Sequence, residues 1–189
     1  MGSLPLLPYS SMFANCFLWL TYGVLKGEIK IWGTNGVGLL FAVYYILRFV
    51  RYAPAKSATL PGSIRQHVNF NLAVVVGTTL ILFFPLSDPT DFIGNLGVLF
   101  CVAMFGSPLA ALKTVIQTKS AKSIPLPFTL ATVLNCFLWS VFGLLEMKDV
   151  NIYLPNLLGL ACGMGQVALK LLYGDGTGAK VTREMDLLV

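Results

Sequence analysis

The chain has 189 residues, 56% of them hydrophobic and only 11% charged, with a mean hydropathy of +0.77. A soluble domain carries about 25% charged residues, so charges this sparse exclude a water-soluble globule and require a second apolar solvent, membrane lipid. The formal net charge of +5 invites a nucleic-acid reading, but the positions of the charges exclude that partner as well.

In chain order, stretches 1–25, 31–47, 68–87, 92–112, 123–145 and 150–169 contain no Asp, Glu, Lys or Arg. A spanning helix needs about 20 mainly apolar residues, with a range of about 17–25, and each stretch qualifies. The ten-residue alternation of a membrane barrel is missing. With no water in the hydrocarbon to satisfy the backbone, these stretches are predicted to be helices. The first has no basic leader and no small-residue cleavage pattern, and it carries Pro5 and Pro8. It therefore reads as mature structure and not as a signal peptide. Residues 51–66 read as a loop with Pro54, Pro61 and the lone His67 at its edge, and the Gly-rich segment from Gly174 as a polar tail.

The loops alternate in charge. Arg48, Arg51, Lys56, Arg65, Lys113, Lys119, Lys122, Lys170, Lys180 and Arg183 fall on one side, against Lys26, Lys30 and Lys148 on the other. Ten against three is a positive-inside bias, which predicts a cytoplasmic C-terminus. Cys16, Cys101, Cys136 and Cys162 all lie in apolar stretches, without metal-ligand spacing, and fit apolar packing. No metal, cofactor or catalytic constellation is expected, and the chain does not read as an enzyme.

One motif occurs twice. Ser3-Leu4-Pro5-Leu6 opens a stretch that continues through Asn15-Cys16-Phe17-Leu18-Trp19 to Gly23, and Ser123-Ile124-Pro125-Leu126 opens another that runs through Asn135-Cys136-Phe137-Leu138-Trp139 to Gly143. At an offset of 120, nine of 21 positions are identical. Thr34-Asn35-Gly36-Val37-Gly38 then answers Pro155-Asn156-Leu157-Leu158-Gly159 at an offset of 121, a change that one residue of loop length would explain. The matching helices are the first and fifth spans, so they run in the same direction and form parallel repeats. The stretch 68–87 serves as the linker that restores direction. The second repeat has a leading helix at 92–112, and the first has no counterpart. The expectation is an all-α membrane protein with six transmembrane helices: two parallel three-helix repeats, the first incomplete, joined by a linker helix. Its boundaries are 1–50 for the first repeat, 51–91 for loop and linker, 92–173 for the second repeat and 174–189 for the tail.

Gly106-Ser107-Pro108-Leu109, Val115-Ile116-Gln117-Thr118-Lys119-Ser120 and Ile124-Pro125 resemble the SWEET sugar-uniporter family of the PQ-loop superfamily, as do Trp139-x-x-x-Gly143 and Tyr153-Leu154-Pro155-Asn156-x-x-Gly159. In the first repeat Leu7-Pro8-Tyr9, Asn15-Cys16 and Thr34-Asn35-Gly36-Val37-Gly38 fit as well, so the resemblance runs over residues 3–173. It implies the family's seven-helix fold, of which this chain matches helices two to seven. Parallel repeats are a known property of that family and are not an independent expectation here.

Asn35 and Asn156 take matching places in two spans. An amide offers two donors and an acceptor oxygen, which suits sugar hydroxyls; a helix–helix hydrogen bond is its other use in a membrane bundle. The resemblance implies a paired-asparagine sugar site. Trp19 and Trp139 would stack on a sugar ring or anchor at the interface, and the resemblance favours the pocket for Trp139. Cys16 and Cys136 share the helical face of the tryptophans, one turn deeper. The resemblance also implies that Pro5, Pro108 and Pro125 are hinges, although a proline near a helix start is also at home in a first turn. Spans without ionisable residues in their interior suit a neutral substrate and downhill movement without ion coupling. The function expected is facilitative, bidirectional uniport of mono- or disaccharides, of glucose or sucrose type, by alternating access, with the plasma membrane as location. Homo-oligomerisation stays open. The rival readings are a non-transporting partner subunit, or a PQ-loop carrier of another small neutral solute.

Overall fold

Uncharged stretches of this length satisfy their backbone internally, and what remains for the sequence to specify is where each helix starts, breaks and packs. The computed structural model describes residues 6–52, 63–84 and 88–175. Regular structure among them is helical: α1 (Leu7–Leu25), α2 (Ile29–Tyr52), α3 (Ile64–Phe83), α4 (Pro89–Met104), α5 (Gly106–Thr118), α6 (Leu126–Val141) and α7 (Val150–Tyr173), with a π-helical segment, Phe142–Met147, continuing α6. Taken with α5 as one bent span, α4 belongs to a set of six helices. Five of these are long and apolar enough to cross a membrane. The other, α1, has 19 residues, with Ser10 and Thr21 among its buried positions.

Helix starts follow caps and not the last charge. Ser63 accepts from the Gln66 backbone N–H while the Gln66 side chain takes the Ser63 N–H, a complete capping box. This starts α3 at Ile64 and draws Arg65, Gln66 and His67 into its first turn. His67 therefore lies in a helix and is buried, contrary to the loop position expected from the sequence. Counting uncharged residues from Val68 overlooked a start signal placed before a charge.

Proline breaks the span expected at 92–112. Pro108 has no N–H to offer the Met104 carbonyl, so the helical ladder is interrupted there. The Phe105 N–H turns back to Val102 O at 3.1 Å, and Leu109 N–H bonds Phe105 O at 3.0 Å to begin α5. Pro125 stands just outside α6 as its N-cap, with extended backbone (φ −78°, ψ 93°). Pro5 lies outside the described residues. Pro155, buried within the unbroken α7, removes one backbone donor from that helix and did not figure among the expected hinges.

The chain divides into two compact units, Met1–Phe100 and Cys101–Val189, with the division inside α4. In the first, α1 packs along α2 and against α3. In the second, α7 takes both α5 and α6. There Val115, Ala121 and Ile124 form a buried cluster against Leu169 and Tyr173. The turn after α5 is pinned to the end of α7 by Ala121 N–H to Gly174 O (2.9 Å) and Lys170 Nζ to Ala121 O (2.9 Å).

The duplication extends to hydrogen bonds. After α1, Gly27 takes a left-handed conformation (φ 67°); after α6, Lys148 does the same (φ 49°). Glu28 N–H bonds Gly23 O at 2.9 Å and Asp149 N–H bonds Gly143 O at 3.0 Å. Each carboxylate then accepts from the backbone two residues on, Glu28 from Lys30 at 3.1 Å and Asp149 from Asn151 at 3.0 Å. The residue that shifts the offset between repeats is not in this turn. It lies between Gly143 and Lys148, where the π-helical segment absorbs it inside the helix. A one-residue insertion widens a helical turn in this way and leaves the next turn in place.

Candidate functional site

Helices approach closely where side chains are small, and glycines set the α1–α2 and α6–α7 contacts. A Cβ on Gly23 would stand 2.5 Å from Trp32 N and 2.9 Å from Ile31 Cβ; one on Gly143 would stand 2.8 Å from Tyr153 N and 2.9 Å from Ile152 Cγ2. One further contact recurs deeper in each pair, with the Cys16 sulfur against Gly38 and the Cys136 sulfur against Gly159, both 2.8 Å from the Cβ position. A third follows in the second unit, where Gly163 faces Val133.

These contacts determine the register. With Gly23 at Ile31 and Cys16 at Gly38, the antiparallel pair places Trp19 level with Asn35. With Gly143 at Ile152 and Cys136 at Gly159, it places Trp139 level with Asn156. Each unit therefore brings an indole and an amide to one level between two helices, with a thiol on glycine one turn deeper. Tyr22 and Phe142 complete the sets, edge-on to their tryptophans at 5.4 Å and 86° and at 5.5 Å and 81°. The sequence carried a signal for them, since both are aromatic at matching positions.

The asparagines are held alike. Asn35 Nδ2 donates to Ile31 O at 2.9 Å and Asn156 Nδ2 to Ile152 O at 2.7 Å. One amide hydrogen is thus used to fix the side chain along its own helix. Among the described residues, the oxygen and the second hydrogen of each have no hydrogen-bond partner, and both residues are half-buried. An oriented amide with an unused donor and acceptor can bind adjacent hydroxyls.

The tryptophans differ. Trp19 is buried, and its ring lies over Gly97 of α4, with Cε2 3.1 Å and Cζ2 3.2 Å from the Cβ position. Trp139 is half-exposed. Cys16 and Cys136 are both buried and pack on glycine, so each is a wall beside the asparagine level. Of the prolines, Pro108 lies at the α4–α5 break and Pro125 at the start of α6.

A family model described as "Sugar efflux transporter for intercellular exchange" matches residues 1–57 and 91–176, leaving α3 between the matched stretches. The chain is similar to "Sugar transporter SWEET1" of Rattus norvegicus, 34% identical over 166 residues that cover 86% of this chain and 72% of the relative. It is also similar to "Bidirectional sugar transporter SWEET15" of Oryza sativa subsp. indica, 30% identical over 88% of this chain and 52% of the relative. The chain thus spans about half the length of that plant relative (52%). A solved eukaryotic SWEET transporter superposes with a TM-score of 0.77 at 31% identity, covering 90% of this chain and 80% of that one. These relatives are named as transporters and not as enzymes. With its apolar spans, the chain is an integral membrane protein.

Proposed function

The chain belongs to the SWEET family, and on that premise we propose that it carries a mono- or disaccharide across a membrane by facilitative, bidirectional uniport with alternating access. The observation that carries this reading is the twice-built level of indole and amide with a thiol one turn deeper, each amide anchored by one hydrogen with its remaining polar atoms unused. Asn35 and Asn156 each bind sugar hydroxyls, each within its own unit. Trp139 offers a half-open ring to the apolar face of the sugar; Trp19 and Cys16 shape the wall beside Asn35, and Cys136 the wall beside Asn156. No Asp, Glu, Lys, Arg or His occurs in 10–25, 34–47, 126–145 or 153–169. A neutral ligand suits walls without a fixed countercharge. Pro108, at the α4–α5 break, and Pro125, before the start of α6, mark where the chain of the second repeat can hinge. On this reading the repeats are 1–50 and 92–173, the loop with linker 51–91 and the tail 174–189, with the C-terminus cytoplasmic and the plasma membrane as the site of action.

The test is flux of labelled glucose and of labelled sucrose in proteoliposomes made with the full chain. Asn156→Ala should remove most of the flux of whichever sugar moves, with expression and thermal stability kept. Equal flux by the parent and by Asn156→Ala would overturn the assigned site. A folded parent that moves neither sugar would overturn the transport reading in favour of a partner subunit or a carrier of another solute.

A further inference from the structure

Two prolines of the second unit, Pro108 in the first turn of α5 and Pro125 at the N-cap of α6, belong to different helix starts, and a side chain of α7 reaches one carbonyl directly and the other through Thr129. Gln166 of α7 donates from Nε2 to Pro108 O at 3.4 Å. Its Oε1 accepts from Thr129 Oγ1 at 3.5 Å. The same Thr129 hydroxyl also faces Pro125 O at 3.3 Å. We propose that Gln166, with Thr129, is a positioning residue that couples the break at Pro108 to the break at Pro125, so that α5 and α6 reorient together about α7.

The chemistry of the chain of bonds supports a switchable link. A hydroxyl has one hydrogen, so Thr129 serves either Pro125 O or Gln166 Oε1 fully, or shares it between them. Thr129 is only 2% exposed, and water cannot replace whichever bond is given up. The Pro125 carbonyl already accepts the Thr129 backbone N–H at 3.0 Å, so releasing the hydroxyl does not orphan it. Separations of 3.3–3.5 Å are longer than the usual hydrogen-bond range, so these are weak contacts, which leaves room for one break to tighten them while the other relaxes. An amide and a hydroxyl let go without leaving a charge in the bilayer, which a salt bridge would not.

In the first unit the matching position also joins two helices, but through rings in place of the amide and hydroxyl. Tyr9 and Tyr45 match Thr129 and Gln166 in the two repeats, and their rings lie 5.3 Å apart. An aromatic pair holds α1 to α2 there, while the second repeat uses groups that also reach the proline carbonyls.

The inference rests on the transport reading for one of its two measurements only. The full chain is prepared as parent, Gln166→Leu, Thr129→Val and Thr129→Ser. Concentration-dependent sugar flux gives the maximal rate and KM. Hydrogen exchange of the purified proteins gives the opening of 104–112 and 124–130. Gln166→Leu and Thr129→Val should lower the maximal rate about two- to tenfold, the range one neutral hydrogen bond supports, with KM unchanged. Each should speed exchange at both proline segments, including the one remote from the substitution, and Thr129→Ser, which keeps the hydroxyl, should restore parental behaviour. Faster exchange confined to the substituted segment, or a changed KM with an unchanged maximal rate, overturns the coupling. If the parent moves no sugar, the transport reading fails alone, and exchange at the two segments still decides the link.

Discussion

Cys136 presses its sulfur onto the bare α-carbon of Gly159, 2.8 Å from where a Cβ would stand, and Cys16 meets Gly38 at the same 2.8 Å. Real Cβ atoms do not approach other atoms so closely, so these glycines permit the helix approach that levels each tryptophan with its asparagine. Gly159→Ala should therefore lower the unfolding temperature in detergent, by an overpacking cost of about 1–3 kcal/mol. Adding Cys136→Ala to that variant should recover part of the loss. If the second change adds to the first, the sulfur is not what the new methyl meets.

Trp19 and Trp139 occupy matching positions but should respond differently to truncation. Trp19 is buried over Gly97, so Trp19→Ala opens a cavity and should destabilise the protein by about 3–5 kcal/mol. Trp139→Ala removes a half-exposed ring and should cost less stability while weakening sugar binding more. Unfolding temperatures with and without saturating sugar separate the two effects. Similar losses for both variants would contradict the burial difference.

The turns after α1 and α6 use the same left-handed position with different residues. Nothing lies within 4 Å of the Cβ position of Gly27 (φ 67°), so the cost of Gly27→Ala is confined to the backbone, about 1 kcal/mol. Lys148→Gly should stabilise the equivalent turn by a smaller amount, because an unfolded glycine is freer. Thermal unfolding of both variants should show opposite signs.

The π-helical segment Phe142–Met147 holds one residue more than the end of α1. Deleting exposed Leu145 should convert it to a regular α-helical end like that of the first repeat, with the protein still folded. Deleting Leu134, in the middle of α6, should rotate Cys136 and Trp139 off their face and abolish folding. Monodisperse elution from size-exclusion chromatography distinguishes the two, and aggregation of the Leu145 deletion would refute the insertion account.

Much of this was legible from the residues. Six apolar stretches without charge, together with the repeated Asn-Cys-Phe-Leu-Trp, were sufficient for an all-helical membrane chain with an internal duplication, because lipid accepts no other lone secondary structure and shared rare residues rarely coincide. The Ser63–Gln66 capping box was legible too, yet an apolar stretch begun at Val68 leaves Arg65 and His67 outside and so misses the true start of α3 and the burial of His67.

Tertiary structure alone decided the rest. Periodicity says which residues share a face of one helix but not what lies across from it. Trp19 over Gly97, sulfur on glycine, and Gln166 between two proline carbonyls are all distances across helices. The same limit applied to the inserted residue. An offset of 121 in place of 120 counts it, but whether it lengthens a loop or widens a helical turn depends on packing around Gly143, which only the folded chain supplies.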